Sequence, residues 1–401
     1  MTELAVDYRL PVFRMRDALK GVGIREIVTK AEALERAGKK VIHLEIGRPD
    51  YDSPACAKTA ATMALEKGEV HYTDTAGTPA LRRAIADAWK RGMGMDVDPD
   101  REVIVTVGSI EALATALLTL LEPGDEVIVP TPFFPAYSAQ IALASGVLRE
   151  APCRFENGFR IDSADLEAAI TPRTRLILLN TPNNPSGAVM EREELEGVAA
   201  LAHKHGLLVV SDECYEKFLY DGQHVSIASL PGMRERTVVL SSASKTFSMT
   251  GWRVGWMIVP PEVKPYAAKC HQHLATCASS FAQAGVAEAL RSADADVKRM
   301  IEGYRERRDF LAARLRDRFE LHMPQGAFYL FPRVSALTKR LGLDAPGLAT
   351  WLLDQAGVAT VPGDVFHAQG EFLRMAYCRP LEELAEAADR IEVALKKNGM
   401  S

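Results

Sequence analysis

The stretch VIVTVGSIEALATALLTLLEPGDEVIVP, residues 103–130, decides the fold. It opens with an unbroken apolar run, VIVTV (103–107), and closes with another, VIVP (127–130). Neither alternates with polar residues, which is how strands buried on both faces of a parallel sheet read. Between them, EALATALLTLLEPGD reads as a helix closed by Pro123 and Gly124. The same alternation continues outward. LILL (176–179), LLVV (207–210), VVL (238–240) and WMIV (256–259) read as further strands, and EELEGVAALAHKHG as a helix ending at Gly206. A repeated β–α–β pattern predicts an α/β fold, a mostly parallel central sheet between helices.

The ends read differently. EIVTKAEALERA (26–37) is an amphipathic helix stopping at Gly38, and VKRMIEGYRERRDFLAARLRDRF begins a new helical unit. Short strands and turns follow, then the helix LEELAEAADRIEVALKK. We therefore expect an N-terminal arm and helix (1–47) that joins a smaller α+β domain (291–401), and a large domain over 48–290. A length of 401 residues fits two or three domains at about 150 residues each.

Lys and Arg number 48 against 53 Asp and Glu, a net charge of −5, so nothing suggests a basic surface for nucleic acid. Apolar residues at 47% and charged residues at 25% exclude a largely disordered chain. Cys56, Cys153, Cys214, Cys270, Cys277 and Cys378 form no CxxC pair, and HExxH and GxxxxGK[ST] are missing, so no metal site is expected. The cysteines read as mostly reduced core residues. The opening MTELAVDYRLP lacks the apolar core of a secretory signal. No window of about 18 apolar residues could span a membrane. A cytoplasmic protein is expected.

Open α/β sheets bind ligands beyond the carboxyl ends of their strands. Gly108-Ser109-Ile110-Glu111 follows the first strand and opens a helix, whose free N–H groups favour a phosphate. Alone, it reads first as an ordinary turn with Ser109 as N-cap. SSASKTFSMTGWRVGW (241–256) adds weight: a strand runs into Ser242, Ser244 and Lys245, with Gly251 and Arg253 close behind. Serine hydroxyls and a guanidinium are good phosphate donors. The lysine could bind phosphate as a point charge, or attack a carbonyl cofactor as a nucleophilic amine.

With that segment, the chain resembles the fold-type-I pyridoxal-phosphate aminotransferases of class I/II, the aspartate aminotransferase superfamily. The resemblance extends, in the family's order, through IGRPDY (46–51), HYTDTAGTPALRRAI (71–85), TPFFPAY (131–137), NTPNNPSG (180–187), SDECYEKFLY (211–220), PQGAFYLF (324–331), VPGDVF (361–366) and LRMAYC (373–378). One such motif would be weak; the ordered set covers nearly the whole chain.

The resemblance implies transamination between an L-amino acid and a 2-oxo acid such as 2-oxoglutarate, with pyridoxal 5'-phosphate as cofactor. Lys245 would carry the internal aldimine and, once freed, move the proton. Asp212 matches the partner of the pyridinium nitrogen, and Tyr215 and Asn184 the groups at the phenolate oxygen. Phe134 matches the ring-stacking aromatic, with its neighbour Phe133 as a possible confusion. Ser109 and Ile110 N–H groups, Ser242, Ser244 and Arg253 would hold the phosphate. Tyr72 would reach it from the partner subunit of a homodimer with shared active sites. Arg374, with Gly47 and Asn184 beside it, would grip the substrate α-carboxylate.

Candidates for the side-chain pocket are Phe13, Ile24, Arg48, Tyr72 and Phe366. Arg48 departs from the uncharged or acidic residue of many relatives, and reads as a solvated or structural arginine before a partner for a substrate acid. His367 stands where relatives often have glycine, which puts the shape of the 361–368 loop in question. Two alternatives accompany the aminotransferase reading. A β-eliminating carbon–sulfur lyase would use the same scaffold and residues. A ligand-sensing transcription factor would need an N-terminal DNA-binding domain, for which the first motif, beginning at residue 46, leaves no room.

Overall fold

The computed structural model describes residues 24–399. Its centre is a seven-stranded sheet: β1 (Val103–Thr106), β2 (Glu126–Thr131), β3 (Val147–Pro152), β4 (Thr174–Asn180), β5 (Leu208–Asp212), β6 (Thr237–Ser242) and β7 (Gly255–Ile258). Across the sheet they lie in the order β1-β7-β6-β5-β4-β2-β3. The pairs from β6 through β5, β4 and β2 to β3 are parallel.

Alternate residues of each strand feed opposite faces, as a period of two requires. Val103 and Val105 pack with Val239, Trp256 and residues of helices Pro79–Met93 and Ser280–Ser292. Ile104, Leu176, Leu178 and Val210 pack on the other face, against helices Ser109–Leu120 and Lys264–Ala275. The unbroken apolar runs thus have the reason expected of them, burial on both sides.

Two features depart from the expected pattern. WMIV belongs to β7, which runs antiparallel to both its neighbours, β1 and β6. The return from β6 to β7 contains only a four-residue helix, Ala243–Thr246, and a 3-10 turn. A parallel crossover usually carries the chain back over the sheet through a full helix; the return of residues 243–254 has none, and β7 runs back antiparallel. The edge strand β3, VLREAP, escaped notice because an edge faces water and tolerates Arg149 and Glu150.

Beyond the sheet, helices Asp294–Leu315 and Leu381–Lys397 enclose a second core with residues from 327–330 and 373–378. Strands Val361–Pro362, Leu373–Ala376 and Tyr329–Leu330 form a three-stranded antiparallel sheet there. Ile42–His43 pairs in parallel with Val358–Ala359, which ties the chain just before the first motif to this C-terminal part.

Leu178 is fully buried in β4 at the middle of the large sheet. Leu178→Ala should cost about 2–5 kcal/mol of stability, measured as a lower denaturant midpoint at unchanged slope.

Candidate active site

The carboxyl ends of β1, β4, β5 and β6 converge on a cavity of about 510 Å³. Gly47, Ser109, Ile110, Phe134, Asn184, Asp212, Tyr215, Ser242, Ser244, Lys245, Arg253 and Arg374 all line it. Of the residues assigned from sequence to catalysis, the cofactor and the substrate carboxylate, Tyr72 alone is absent from its wall; it is 86% exposed.

At one end lies an anion cup. The N-cap of helix Ser109–Leu120 is Gly108, not Ser109 as the simpler reading of that turn had it. Gly108 has φ +78°, and a Cβ there would stand 2.5 Å from an Arg253 guanidinium nitrogen. The bare backbone therefore lets the arginine pass beneath the helix start, where N–H groups lack intrahelical partners. Ser242 Oγ accepts from Ser244 N at 3.3 Å, capping the short helix that carries Lys245.

Asp212 ends β5. Tyr137 donates its hydroxyl to Asp212 Oδ2 at 2.8 Å, and Cys214 N–H donates to Oδ1 at 3.1 Å. Burial still holds this carboxyl above its ordinary range, the two hydrogen bonds opposing it in part. Asn180 Nδ2 donates to the Asp212 carbonyl, while its Oδ1 accepts from Asn184 N, so one amide sets both strand ends.

Lys245 donates to the Gly47 carbonyl at 2.7 Å. Burial lowers its pKa, and Arg374 and Arg253 push in the same direction. Gly47 is required by a different contact: a Cβ there would strike the Tyr329 hydroxyl. That hydroxyl lies 2.8 Å from the Tyr215 hydroxyl.

Arg374 is buried on strand Leu373–Ala376. Its guanidinium lies over the rings of Tyr329 and Phe366, 4.6 and 4.7 Å from their centroids. It donates to Asn184 Oδ1 at 3.0 Å and to the Glu45 carbonyl at 2.6 Å, and its Nε has no partner. Lys245, Arg253 and Arg374 make no salt bridge to a carboxylate among the described residues. Two guanidinium cations and a buried amine around one cavity, none bridged to a carboxylate, suit it to anionic ligands.

The side-chain pocket assignments need correction. Phe366 is fully buried under Arg374 and does not reach the cavity wall, because its ring serves as a platform for the guanidinium. Arg48 is exposed and lies outside the wall. Phe13 and the side chain of Ile24 lie outside the described residues. Phe134 lines the cavity, whereas Phe133 is buried and stacks on His367 with ring centroids 4.4 Å apart. His367 holds φ +57°, the left-handed conformation that explains a preference for glycine. Its ring stack and a 2.7 Å contact from Nδ1 to Glu150 Oε1 compensate the cost.

Sequence reading missed Tyr137, Asn180, Tyr329 and Glu45 as site residues. The first three fall inside the quoted motifs, so the signal was present; Glu45 sits one residue before IGRPDY.

Comparison with known proteins agrees with this geometry. Residues 39–391 match the family model described as aminotransferase class I and II. The chain is 39% identical over 379 residues to aromatic-amino-acid aminotransferase 2 of Thermococcus litoralis, covering 93% of this chain and 95% of that protein. It is 39% identical over 368 residues to an aspartate aminotransferase of Pyrococcus abyssi, covering 90% and 94%. The crystal structure of aspartate aminotransferase from Thermus thermophilus with maleate superposes with a TM-score of 0.90 at 37% identity, over 96% of this chain and all of that one. The chain belongs to the class I and II aminotransferases, the pyridoxal-phosphate enzymes that move an amino group between an amino acid and a 2-oxo acid.

Proposed function

We propose the following division of labour for the transamination. The observation that carries it is Lys245: an amine at a strand end, facing the cavity, with a backbone carbonyl as its partner and burial favouring its neutral form. When bound, pyridoxal 5'-phosphate supplies an aldehyde carbon to take up the amino group and a ring to withdraw electrons. The residues fit that group. The bare cradle over Gly108 with Arg253, Ser242 and Ser244 suits its phosphate. The buried carboxylate of Asp212, at the end of β5, suits a protonated ring nitrogen. Tyr215 and Asn184 supply donors for the ring oxygen, and Phe134 a face for the ring.

Lys245 holds the cofactor and then carries the proton, since a neutral amine serves as both nucleophile and base. Arg374 takes the substrate α-carboxylate, beside Asn184 and the Gly47 backbone, and so orients the substrate's Cα. A second copy of the chain completes each site through Tyr72. The support is its exposure, together with Met63, Leu65 and Val70, which leave an apolar surface open nearby in sequence. Functionally the chain divides into an arm (1–47), a cofactor-binding domain (48–290) and a C-terminal domain (291–401), with the arm serving the last. We place the enzyme in the cytoplasm, a reading supported by six free cysteines. No helix among the described residues is long and apolar enough to cross a membrane.

The deciding experiment pairs single amino acids with pyruvate or 2-oxoglutarate and scores new amino acid separately from ammonia. Transfer without ammonia is expected; ammonia as the main product would point to the lyase reaction. Borohydride treatment of the loaded enzyme should fix the cofactor onto the peptide containing Lys245, and recovery on another peptide would reject the assignment. Arg374→Ala should lower kcat/KM for amino acids at least about 30-fold, the consequence of losing about 2 kcal/mol or more from a buried charge pair.

The lowered pKa of Lys245 has a kinetic sign. The neutral amine is the reactive form, so capture of cofactor by the cofactor-free protein should accelerate as pH rises. It should level off below the ordinary lysine value of 10.5. A rate still climbing at that pH, followed by stopped-flow absorbance, would contradict the desolvated amine.

A further inference from the structure

Helix Ser109–Leu120 starts at the anion cup, and its third residue is an acid, Glu111. A carboxylate in a first turn suits the helix dipole. It does not suit an anionic ligand at the same helix start, which it repels. Its hydrogen bonds point to a different service. Oε2 accepts from Val107 N–H at 3.0 Å, while Oε1 accepts from Thr115 Oγ1 at 2.6 Å and lies 3.0 Å from His271 Nδ1. His271 comes from the neighbouring helix Lys264–Ala275 and is 0% exposed. Burial pushes the Glu111 carboxyl up, but the hydrogen bonds from His271, Thr115 and Val107 outweigh it and hold the pKa below the ordinary value. An ionised carboxylate only accepts, so Nδ1 of His271 carries the proton between them.

Val107 is the first residue past β1, which ends at Thr106. Its N–H goes to Glu111, and its carbonyl accepts from Arg253 Nη2 at 3.4 Å. Gly108, Ser109 and Ile110 follow, the bare turn and the two N–H groups assigned to the phosphate. The Glu111 side chain thus closes the bend from its far end back to its start. In a capping box the third helical residue reaches back to the N-cap N–H; here it reaches one residue further, across the whole cup.

We infer that Glu111, braced by Thr115 and His271, is a positioning residue for the cofactor's phosphate: it fixes the bend that gathers the Ser109 and Ile110 N–H groups and Arg253 into one cup. The inference rests on the phosphate placement proposed above. The acid works by geometry against its own charge. Its removal should therefore weaken the hold on phosphate even though a negative charge has gone.

The test strips the cofactor from the full-length enzyme and titrates back pyridoxal 5'-phosphate or phosphate-free pyridoxal, followed by absorbance. Lys245 meets both compounds alike, so the ratio of their Kd values isolates the phosphate. The wild type should favour the phosphorylated compound at least about 100-fold. Glu111→Ala should cut that ratio at least about tenfold, the equivalent of one lost hydrogen bond to a charged group. Glu111→Gln keeps an oxygen for Val107 and should stay within about threefold of the wild type. An alanine variant with an unchanged ratio overturns the inference, even if both compounds bind more weakly, since that is a structural role alone. A ratio that rises in both variants overturns it too, since that is charge alone, as does a glutamine variant as poor as the alanine one. Should Glu111→Ala not fold, Thr115→Val and His271→Leu, which release Oε1, should each cut the ratio at least about threefold; an unchanged ratio in both overturns the inference. A wild type with no preference for the phosphorylated compound would instead overturn the phosphate placement in the proposed function.

Discussion

A guanidinium buried without a carboxylate partner is the constraint on which the rest of this site depends. Arg374 is removed from water and meets only neutral oxygens, those of Asn184 and the Glu45 backbone. Burial opposes its charge. Removing an unpaired charge from water is unfavourable by several kcal/mol, so the surrounding structure must hold it in place. The rings of Tyr329 and Phe366 do so, with a contribution of order 2 kcal/mol for a desolvated cation–π contact. The strained-looking details nearby follow from this. Gly47 must lack a side chain so that Tyr329 can approach, and the turn that presents Phe366 ends in the left-handed His367.

The large sheet meets the complementary requirement. Parallel strands place their carboxyl ends on one edge, so residues far apart in sequence arrive together without long loops. Asn180, Asp212 and Ser242 are the last residues of β4, β5 and β6. The antiparallel β7 then returns beside β1, which brings Arg253 under Gly108. One short return between two strands thus carries both Lys245 and Arg253.

Much of this was legible before any coordinates. Unbroken apolar runs revealed six of the seven central strands, because burial on both faces leaves no polar alternation to confuse them. The family resemblance carried by the ordered motifs named most of the residues around the cavity, several of which stand at strand ends. What escaped did so for physical reasons. An edge strand such as β3 carries Arg149 and Glu150, and the direction of β7 goes with a connection that lacks a full helix rather than with the strand's own residues. Phe366 looked like a pocket wall because sequence cannot distinguish the face of a guanidinium from the face of a cavity. Glu45 stood outside every motif, and its backbone contact with Arg374 is a meeting of distant segments that only three dimensions reveal.

The segment from Glu45 to Gly47 holds a guanidinium and an amine by its backbone, Arg374 through one carbonyl and Lys245 through another two residues on. These are the groups proposed to receive the substrate and the cofactor. A strap that both ligands must loosen makes their binding a shared event: whatever draws one amine or guanidinium away changes the hold on the other. Such coupling is reciprocal by thermodynamic necessity. Three consecutive residues therefore join the hold on one group to the hold on the other.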